Sequence, residues 1–401
     1  MRKKVVIIGH GFTSRLCVIR SVAKLDCDIT VIVMTGIGKD GKAKKIGKPV
    51  DCYSKYVSRI LYCQSEEHAL IDMLLGQCTD ENQKAILFPD SDFSAAAIDN
   101  HQDQLSEHFL FPHINHEQGA VVRWMNKEKQ KELAQKVEMN VANSVSFDIK
   151  DGKFTLPKDI HYPCFTKTRA YMVGTKQTLK RCDNEQELLG FVQQLSSQYD
   201  LTLLVEDYKE IEKEYAVLGF SDGKIVDIPG VLQILTMAHG NHNGVACKGM
   251  VMPTTEFEPL IEQMKEFVLQ VGYVGVFDID FYQSGGVLYF GELNLRIGGS
   301  CYAVTKTGSN LPAMMVRHLC GESVDDLRKN VMSSATYINE RMCLDDWRTG
   351  YLSFAAYRRL LSSADISFVK DDDDPKPYKV FRRRHIPLIA KKTVKSLIGK
   401  K

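Results

Sequence analysis

Acidic, amide and guanidinium side chains are grouped on two neighbouring apolar segments near residue 280. The segments 274–281 and 287–290 are rich in apolar and β-branched residues, and they flank a turn at 283–286. The polar residues that they carry or lead into are Asp278, Asp280, Glu292, Asn294 and Arg296. Two apolar strands around a glycine-containing turn predict a β-hairpin. Because side chains alternate along a strand, the two aspartates should share one face, and so should the other three residues.

This predicted hairpin has the chemistry of a magnesium site. Carboxylates on adjacent strands repel one another unless a cation lies between them. Asp280, Glu292 and Asn294 offer the oxygen ligands that suit Mg2+ (or Mn2+), although spacing alone does not choose between Asp278 and Asp280 as the first ligand. Arg296 could stabilise negative charge that develops beside the metal. The alternative is two exposed strand ends with solvated acids, which is disfavoured because these acids lie within an apolar hairpin.

Basic residues at the ends of other predicted elements suit the phosphates of a nucleotide. Lys127 opens a predicted helix and Lys167 ends a predicted strand. Arg169 and Lys176 lie in the polar loop that follows Lys167. Ammonium and guanidinium groups that enter a cleft from such positions can neutralise phosphate charge. Each lysine taken singly could equally be a solvated surface residue, so the prediction depends on their combination with the hairpin.

Two further segments carry polar residues that could contact ligands. An apolar strand over 201–205 is followed by Glu206 and Tyr208, and Glu214 begins the next strand. These three residues could also be charged or polar strand edges without a ligand.

The segment 229–250 is interpreted as a substrate-facing loop that contains His239, Asn243 and Lys248. A zinc site at His239 and His242 is disfavoured, since no third ligand lies nearby in the sequence and glycine interrupts any helix.

The hairpin and the lysines together resemble the ATP-grasp superfamily. There an acid on one strand is followed, across a hairpin of this span, by Glu-x-Asn and often by Arg two positions on. A lysine at a helix start and a lysine at a strand end contact ATP in that superfamily, and an acid-acid-aromatic hinge pairs with adenine. Beyond the hairpin residues already named, the matching positions are Lys127, Lys167, Glu206, Tyr208 and Glu214. The phosphate loop departs from the family pattern because it has one glycine where several are usual, although Arg169 and Lys176 could compensate.

The resemblance implies an ATP- and Mg2+-dependent ligase that joins a small-molecule carboxylate to an amine through an acyl phosphate, with release of ADP. It implies that Arg296 and Lys167 are catalytic. It also implies that ATP is bound by Lys127, Lys167, Lys176, Glu206, Tyr208 and Glu214, and the metal by Asp280, Glu292 and Asn294. His239, Asn243, Lys248 and Arg169 are weaker candidates for contacts with the substrates.

The substrates are not defined by the sequence. The early α/β segment and the Thr-Gly-Ser-Asn-Leu-Pro run at 307–312 resemble carbamoyl-phosphate-synthase-like and D-aspartate-ligase-type proteins. That likeness suggests addition of an amino acid to a cell-envelope precursor. A ligase for small soluble peptides or metabolites, and a catalytically inactive ATP-binding sensor, are the alternatives.

An α/β fold is predicted to position these residues. The alternation of strand and helix patterns at the start predicts a parallel sheet, so we expect an ATP-grasp fold preceded by a small α/β domain. The expected parts are an N-terminal domain (1–115), a small subdomain with the phosphate loop (116–205), a large subdomain with the hairpin (206–328) and a C-terminal extension (329–401). Gly9-x-Gly11 indicates a tight turn rather than a dinucleotide site. Asp92 is expected to cap the helix that follows it.

Composition is that of a globular protein with a basic tail. The 401 residues carry a net charge of +2, but ten Lys and Arg and no acid lie in 376–401, which leaves a mildly acidic body. The eleven scattered cysteines and the absence of a secretory leader or membrane-spanning run favour a cytoplasmic protein with reduced thiols. The tail could form a basic amphipathic helix over 386–398 on the inner face of a membrane, a docking helix or a solvated segment. No nucleic-acid partner is expected, and a homodimer is an open alternative to a monomer.

Overall fold

The computed structural model describes residues 2–38, 43–169, 175–240 and 245–385, and of residues 175 and 176 the backbone only. The described chain contains three β-sheets with helices between and around them. The predicted α/β class is therefore confirmed.

The first sheet is parallel and has the strand order β3-β2-β1-β4-β5. Its strands are β1 (Lys3–Gly9), β2 (Cys27–Thr35), β3 (Val57–Gln64), β4 (Ala85–Pro89) and β5 (Phe109–Leu110). The helices of this part are α1 (Phe12–Val22), α2 (Glu67–Gln77), α3 (Asp92–Asn100) and α4 (Gln102–Leu105). Strands β1 and β4 are almost wholly apolar and buried, as expected for central strands covered on both faces.

The turn after β1 requires glycine for a steric reason. A Cβ on Gly9 would lie 1.5 Å from Oδ1 of Asp90, so only glycine leaves room for that carboxylate. Asp90 follows β4 and accepts a hydrogen bond from Ser14 Oγ at 2.8 Å. The space that Asp90 needs therefore explains glycine at position 9, without a role in dinucleotide binding.

The predicted cap of α3 is displaced by one residue. Ser91 is the N-cap, and its hydroxyl accepts a hydrogen bond from Ser94 N while Ser94 Oγ accepts one from Ser91 N. The prediction for Asp92 was wrong because serine satisfies the helix start and leaves the Asp92 carboxylate free for another contact.

The second sheet is antiparallel, with strand order β7-β10-β8-β9. Before it come β6 (His113–Ile114), α5 (Ala120–Trp124) and α6 (Lys127–Lys136). The sheet and its helix are β7 (Ser144–Ile149), β8 (Cys164–Thr168), β9 (Lys180–Cys182), α7 (Glu185–Ser196) and β10 (Leu201–Asp207). One face of α7 packs Leu188, Val192 and Leu195 into the core beneath the sheet.

The third sheet is the largest, and the hairpin forms one of its edges. Its main path is β16-β15-β11-β13-β14-β17-β18, with β12 paired to β11 and β6 to β15. The strands not yet given are β11 (Lys213–Asp222), β12 (Val226–Asp227), β13 (Val231–Met237), β14 (Ala246–Met252), β15 (Tyr273–Ser284), β16 (Val287–Asn294), β17 (Ala335–Ile338) and β18 (Ile366–Ser367). The accompanying helices are α8 (Glu258–Val271), α9 (Cys301–Lys306) and α10 (Leu311–Leu319).

The C-terminal part is built onto this sheet. Strand β17 pairs with β14, and α11 (Glu340–Thr349), α12 (Phe354–Ser362) and a helix over 375–385 (α13) follow. The four-part domain division stays a prediction, and the pairings of β6 with β15 and of β17 with β14 run across its boundaries.

The acidic run 371–374 forms a loop whose two end residues, Asp371 and Asp374, are buried. Arg20 Nε lies 3.2 Å from Asp374 Oδ2, and both side chains are almost fully buried. Arg20 also donates hydrogen bonds to the carbonyl oxygens of Phe368 and Val369. The loop is thereby fixed against α1. The predicted basic helix over 386–398 lies outside the described residues, and no described helix is long and apolar enough to cross a bilayer.

Candidate active site

The acid-bearing hairpin forms around its predicted glycine turn. Gly285 and Gly286 have φ values of +58° and +76°, as the two-residue turn of a tight hairpin requires. Asp280 then lies directly opposite Glu292, and Asp278 lies opposite Asn294. The hairpin therefore brings the predicted metal ligands Asp280, Glu292 and Asn294 together, with Asp278 beside them.

A chain of hydrogen bonds connects the hairpin side chains. Asn294 donates from Nδ2 to Asp280 Oδ2 at 3.2 Å, and its own Oδ1 accepts a hydrogen bond from Arg296 at 3.2 Å. Arg296 also donates from Nε to Asp92 Oδ1 at 3.0 Å, and it lies 3.9 Å from Asp278. The guanidinium of Arg296 is thus held from two sides, by the hairpin and by the first turn of α3.

The acids of the hairpin are in an unfavourable electrostatic environment when no cation is bound. Burial, with further repulsion from Glu292, raises the pKa of Asp278 to about 6 although Arg296 opposes the shift. Burial and the neighbouring carboxylates raise the pKa of Asp280 well above its ordinary value. Oδ1 of Asp278 is buried without a hydrogen-bond partner. A divalent cation would relieve this repulsion, so the donor set fits Mg2+.

Glu292 is already paired with a cation. Lys127 forms an ion pair with it, and this contact outweighs the burial that would otherwise raise the carboxyl pKa, so the pKa of Glu292 is lowered. Within the described residues, no three His, Cys, Asp or Glu side chains converge closely enough to hold a metal ion as they stand. A metal ion at the hairpin would compete with Lys127 for the Glu292 carboxylate.

Helix α6 is clamped to the hairpin through a buried amide. Gln130 donates from Nε2 to the carbonyl oxygen of Leu293 at 2.9 Å, and its Oε1 accepts a hydrogen bond from Leu293 N at 2.9 Å. Asn126 caps the helix by accepting from the backbone of Glu128 and Lys129. These contacts fix the first turn of α6, and with it Lys127, beside β16.

Two lysines share one buried acid at the other side of the site. Lys167 and Lys131 lie 2.8 Å and 2.5 Å from Glu206 Oε1. Burial alone would raise the pKa of Glu206, but the two ammonium groups hold it below its ordinary value. Burial lowers the pKa of Lys131 itself. Glu206 thus positions Lys167, the lysine predicted to contact phosphate, at the end of β8.

Two cavities meet at the hairpin. The first has a volume of about 390 Å3. Its lining includes Asp92, the predicted phosphate lysines Lys127 and Lys167, and the predicted metal ligands Asp280, Glu292 and Asn294. The second, about 400 Å3, extends over the face of the large sheet and includes Glu214, Asp278 and Arg296. Asp280, Gly291 and Asn294 line both cavities. Burial raises the pKa of the Glu214 carboxyl.

Five predicted residues lie outside the linings of these cavities, namely Arg169, Glu206, Tyr208, His239 and Lys248. The ring of Tyr208 packs under the guanidinium of Arg181 at 4.3 Å. Arg169 lies 3.4 Å from Glu128 at the start of α6.

His239 and Lys248 face the C-terminal part instead. The His239 ring lies 2.8 Å from Asp346 Oδ2 and stacks on Tyr351, and the Lys248 ammonium donates to the backbone oxygen of Ser363. Their roles stay predictions. Asn243 and the side chain of Lys176 lie outside the described residues.

Asp92, Gln130 and Lys131 belong to the site but were not predicted as site residues from the sequence. The last two follow Lys127 by three and four positions, the spacing that places side chains on one helix face, so the helical period contained a usable signal. The contact of Asp92 with Arg296 joins positions 204 residues apart and left no local signal.

Curated proteins with a similar sequence match about half of this chain. No protein-family model matches the sequence. The carbamoyl phosphate synthase large chain of Clostridium botulinum is 26% identical over 210 residues, which cover 50% of this chain and 19% of that one. The chain thus spans about one fifth of the length of such curated relatives.

Solved structures of ATP-grasp proteins are similar over most of the chain. The biotin carboxylase domain of the Hydrogenobacter thermophilus 2-oxoglutarate carboxylase, crystallised as a dimer with MgADP and bicarbonate, has a TM-score of 0.62 and 18% identity, covering 84% of this chain and 74% of that one. The L-amino acid ligase of Bacillus licheniformis has a TM-score of 0.59 and 14% identity, covering 84% and 79%. The fold of this chain is therefore the ATP-grasp fold, as its hairpin and lysines predicted.

Proposed function

We propose that this protein is an ATP-dependent carboxylate–amine ligase that acts through an acyl phosphate. The observation that carries the proposal is the convergence of Lys127 and Lys167 with Asp280, Glu292 and Asn294 on one cavity, joined to a second cavity that contains Arg296. One cavity can hold the phosphates of a nucleotide while the other holds the molecule that receives the γ-phosphoryl group.

The metal ligands in this proposal are Asp280, Glu292 and Asn294. Bound Mg2+ (or Mn2+) would be held by these oxygens and would offset phosphate charge. Lys127 and Lys167, which line the same cavity, also neutralise phosphate charge. Glu206 orients Lys167.

The reaction has two steps. An oxygen of the substrate carboxylate attacks the γ-phosphorus, and the bond between that phosphorus and the bridging oxygen breaks, so that ADP leaves. The amine nitrogen then attacks the carbonyl carbon of the acyl phosphate, phosphate leaves, and the nitrogen gives up a proton to solvent. Arg296 lies where it can stabilise negative charge in both steps.

Addition of an amino acid to a cell-envelope precursor is the finer proposal for the substrates. The similarity to an L-amino acid ligase supports amino-acid chemistry, and the basic residues of 376–401 would favour an acceptor near an anionic membrane. A homodimer is proposed by analogy with the dimeric biotin carboxylase domain. An ATP-binding sensor without turnover is the competing function, since the Glu292 carboxylate is engaged in an ion pair with Lys127.

The test is phosphate release from ATP and Mg2+ with amino acids offered singly and in pairs. Release that requires one acid and one amine, and that Glu292→Gln abolishes, would establish the ligase. Glu262→Gln is the matched control, because Glu262 is an exposed acid paired with Lys265 on α8. Tight ATP binding with no release for any pair would instead favour the sensor.

A further inference from the structure

The second cavity lies over one face of the large sheet and changes character across its strands. The hairpin side carries Asp278, Asp280 and Arg296. Strand β11, which pairs with β15, adds Glu214 together with the apolar Ala216 and Leu218. Farther from the hairpin, on β13 and around the start of β14, the lining side chains are apolar and form the apolar wall, namely Leu232, Ile234, Val245 and Ala246. A ligand that fills this cavity therefore meets charge at one end and an aliphatic surface at the other.

The apolar wall does not suit a nucleotide phosphate. Among the described residues that line the cavity, Arg296 is the one cation, and Glu214, Asp278 and Asp280 are the acids. A charged group placed against the buried Leu232 or Ala246 would lose its water without gaining a partner. An aliphatic group placed there would instead remove apolar surface from water on both sides.

Residues of the C-terminal part close the far end of the cavity. Tyr337 and Asn339 both line it and come from β17 and the residue that caps α11. The Tyr337 ring stacks on Phe368 with 5.2 Å between centroids, and a Cβ on Gly249 would lie 2.3 Å from that ring, so glycine makes room for it. Because Tyr337 is buried and held on two faces, this end of the cavity limits the length of a bound group.

We propose that the carboxylate substrate of this ligase carries an aliphatic side chain of amino-acid size, with its carboxylate at Arg296 and its aliphatic group against Ile234, Val245 and Ala246. The proposal rests on the ligase function proposed above and adds its substrate class. A valine- or leucine-like acid meets the guanidinium and the apolar wall together, whereas a second carboxylate would face that wall or Glu214 and find no further cation among the described lining residues.

The experiment traps the acyl phosphate with hydroxylamine in the presence of ATP and Mg2+. Leucine and valine are compared with aspartate and lysine by the kcat/KM for hydroxamate formation. We expect the aliphatic acids to be preferred at least about tenfold. Ile234→Arg should lower the value for leucine at least about tenfold and raise that for aspartate, because the new guanidinium provides a partner for the second carboxylate.

Leu235→Arg is the control for this substitution. Leu235 is the next residue on β13, is exposed and does not line the cavity, so its substitution should leave the preference for leucine unchanged. A wild-type preference for aspartate or lysine would overturn the inference while keeping the ligase. Equal effects of Ile234→Arg and Leu235→Arg would also overturn it.

A separate measurement distinguishes failure of the inference from failure of the ligase. If no acid yields hydroxamate, leucine is titrated into the protein with Mg2+ and a non-hydrolysable ATP analogue. Leucine binding that Ile234→Arg abolishes and Leu235→Arg keeps would support the apolar pocket and reject the ligase reaction. Absence of leucine binding to the wild type would overturn the inference.

Discussion

Asp92 Oδ1 accepts a hydrogen bond from Arg296 Nε at 3.0 Å, and this contact joins the first turn of α3 to the acid-bearing hairpin. Asp92 lies in the helix that follows a strand of the first sheet, and Arg296 follows a strand of the third, so the position of Arg296 depends on how the N-terminal sheet docks. A guanidinium held in this way is oriented before a substrate arrives, which is how positioning residues contribute to catalysis.

Substitution of Asp92 tests this positioning role. Asp92→Asn keeps the shape of the side chain but removes the charge that holds Arg296, so we expect kcat/KM to fall about 10- to 100-fold. The free energy of unfolding should change little, because the pair is partly exposed. Steady-state kinetics and urea unfolding measure the two effects.

The neighbouring residue gives the opposite pattern and serves as the control. Ser91→Ala removes the cap of α3 and should lower the free energy of unfolding by about 1 kcal/mol while kcat/KM is kept. If Asp92→Asn lowered stability and left kcat/KM intact, Asp92 would be a structural residue only.

Lys131 should determine how tightly ATP is bound. Glu206 is shared between Lys131 and Lys167, so Lys131→Met would leave Lys167 as the sole partner of Glu206 and draw it away from phosphate. We expect KM for ATP to rise about tenfold, as for the loss of one charge-assisted hydrogen bond, with a smaller change in kcat. Lys136→Met, an exposed change near the end of the same helix, should leave KM unaltered. Equal KM values for both variants, in proteins with the wild-type melting temperature, would reject this role.

Gln130 should contribute strongly to stability. Gln130→Leu removes both hydrogen bonds to the backbone of Leu293 and leaves a buried N–H and a buried carbonyl without partners. We expect the free energy of unfolding to fall by about 2 to 5 kcal/mol. Gln135→Leu makes the same replacement at an exposed position of α6 and should change stability by less than about 0.5 kcal/mol. Urea unfolding measures the free energy of unfolding of both variants. A similarly small loss of stability in each would contradict the role of Gln130 in holding α6 against β16.

The secondary structure near the hairpin was predictable because the signals are local. The two apolar runs, the paired glycines and the acids at 278, 280 and 292 all lie within a few residues of one another, and alternation alone fixes which side chains share a face. The same holds for Lys127, since a helix start is marked by the preceding asparagine cap.

Other parts of the site depend on contacts between distant segments. Strand β17 has four residues and joins the sheet only through its pairing with β14, so a short run without a turn signal gave no indication of it. The cavity wall that Tyr337 provides was therefore missed. His239 shows the converse: its type suggested a ligand contact, but the structure directs its ring to the buried Asp346, which no local pattern reveals.

The pH dependence of stability should carry the signature of Asp90. Burial raises the pKa of this carboxyl to about 6 from an ordinary 3.8, although Arg15 and Ser14 oppose the shift. Between pH 4 and pH 6 the unfolded chain releases this proton while the folded protein keeps it. Rising pH therefore favours unfolding over that interval and has no further effect on this group above about pH 6.

Asp90→Asn isolates the effect, because the amide does not titrate and its oxygen can still accept from Ser14. We expect the free energy of unfolding of the wild type, measured relative to the variant in urea, to fall by at most about 3 kcal/mol from pH 4 to pH 6 and then to level off. All other groups titrate in both proteins and cancel in the difference. If the difference in free energy of unfolding between the two proteins stays constant from pH 4 to pH 8, Asp90 is ionised in the folded protein over that whole range. The predicted rise in its pKa would then be wrong.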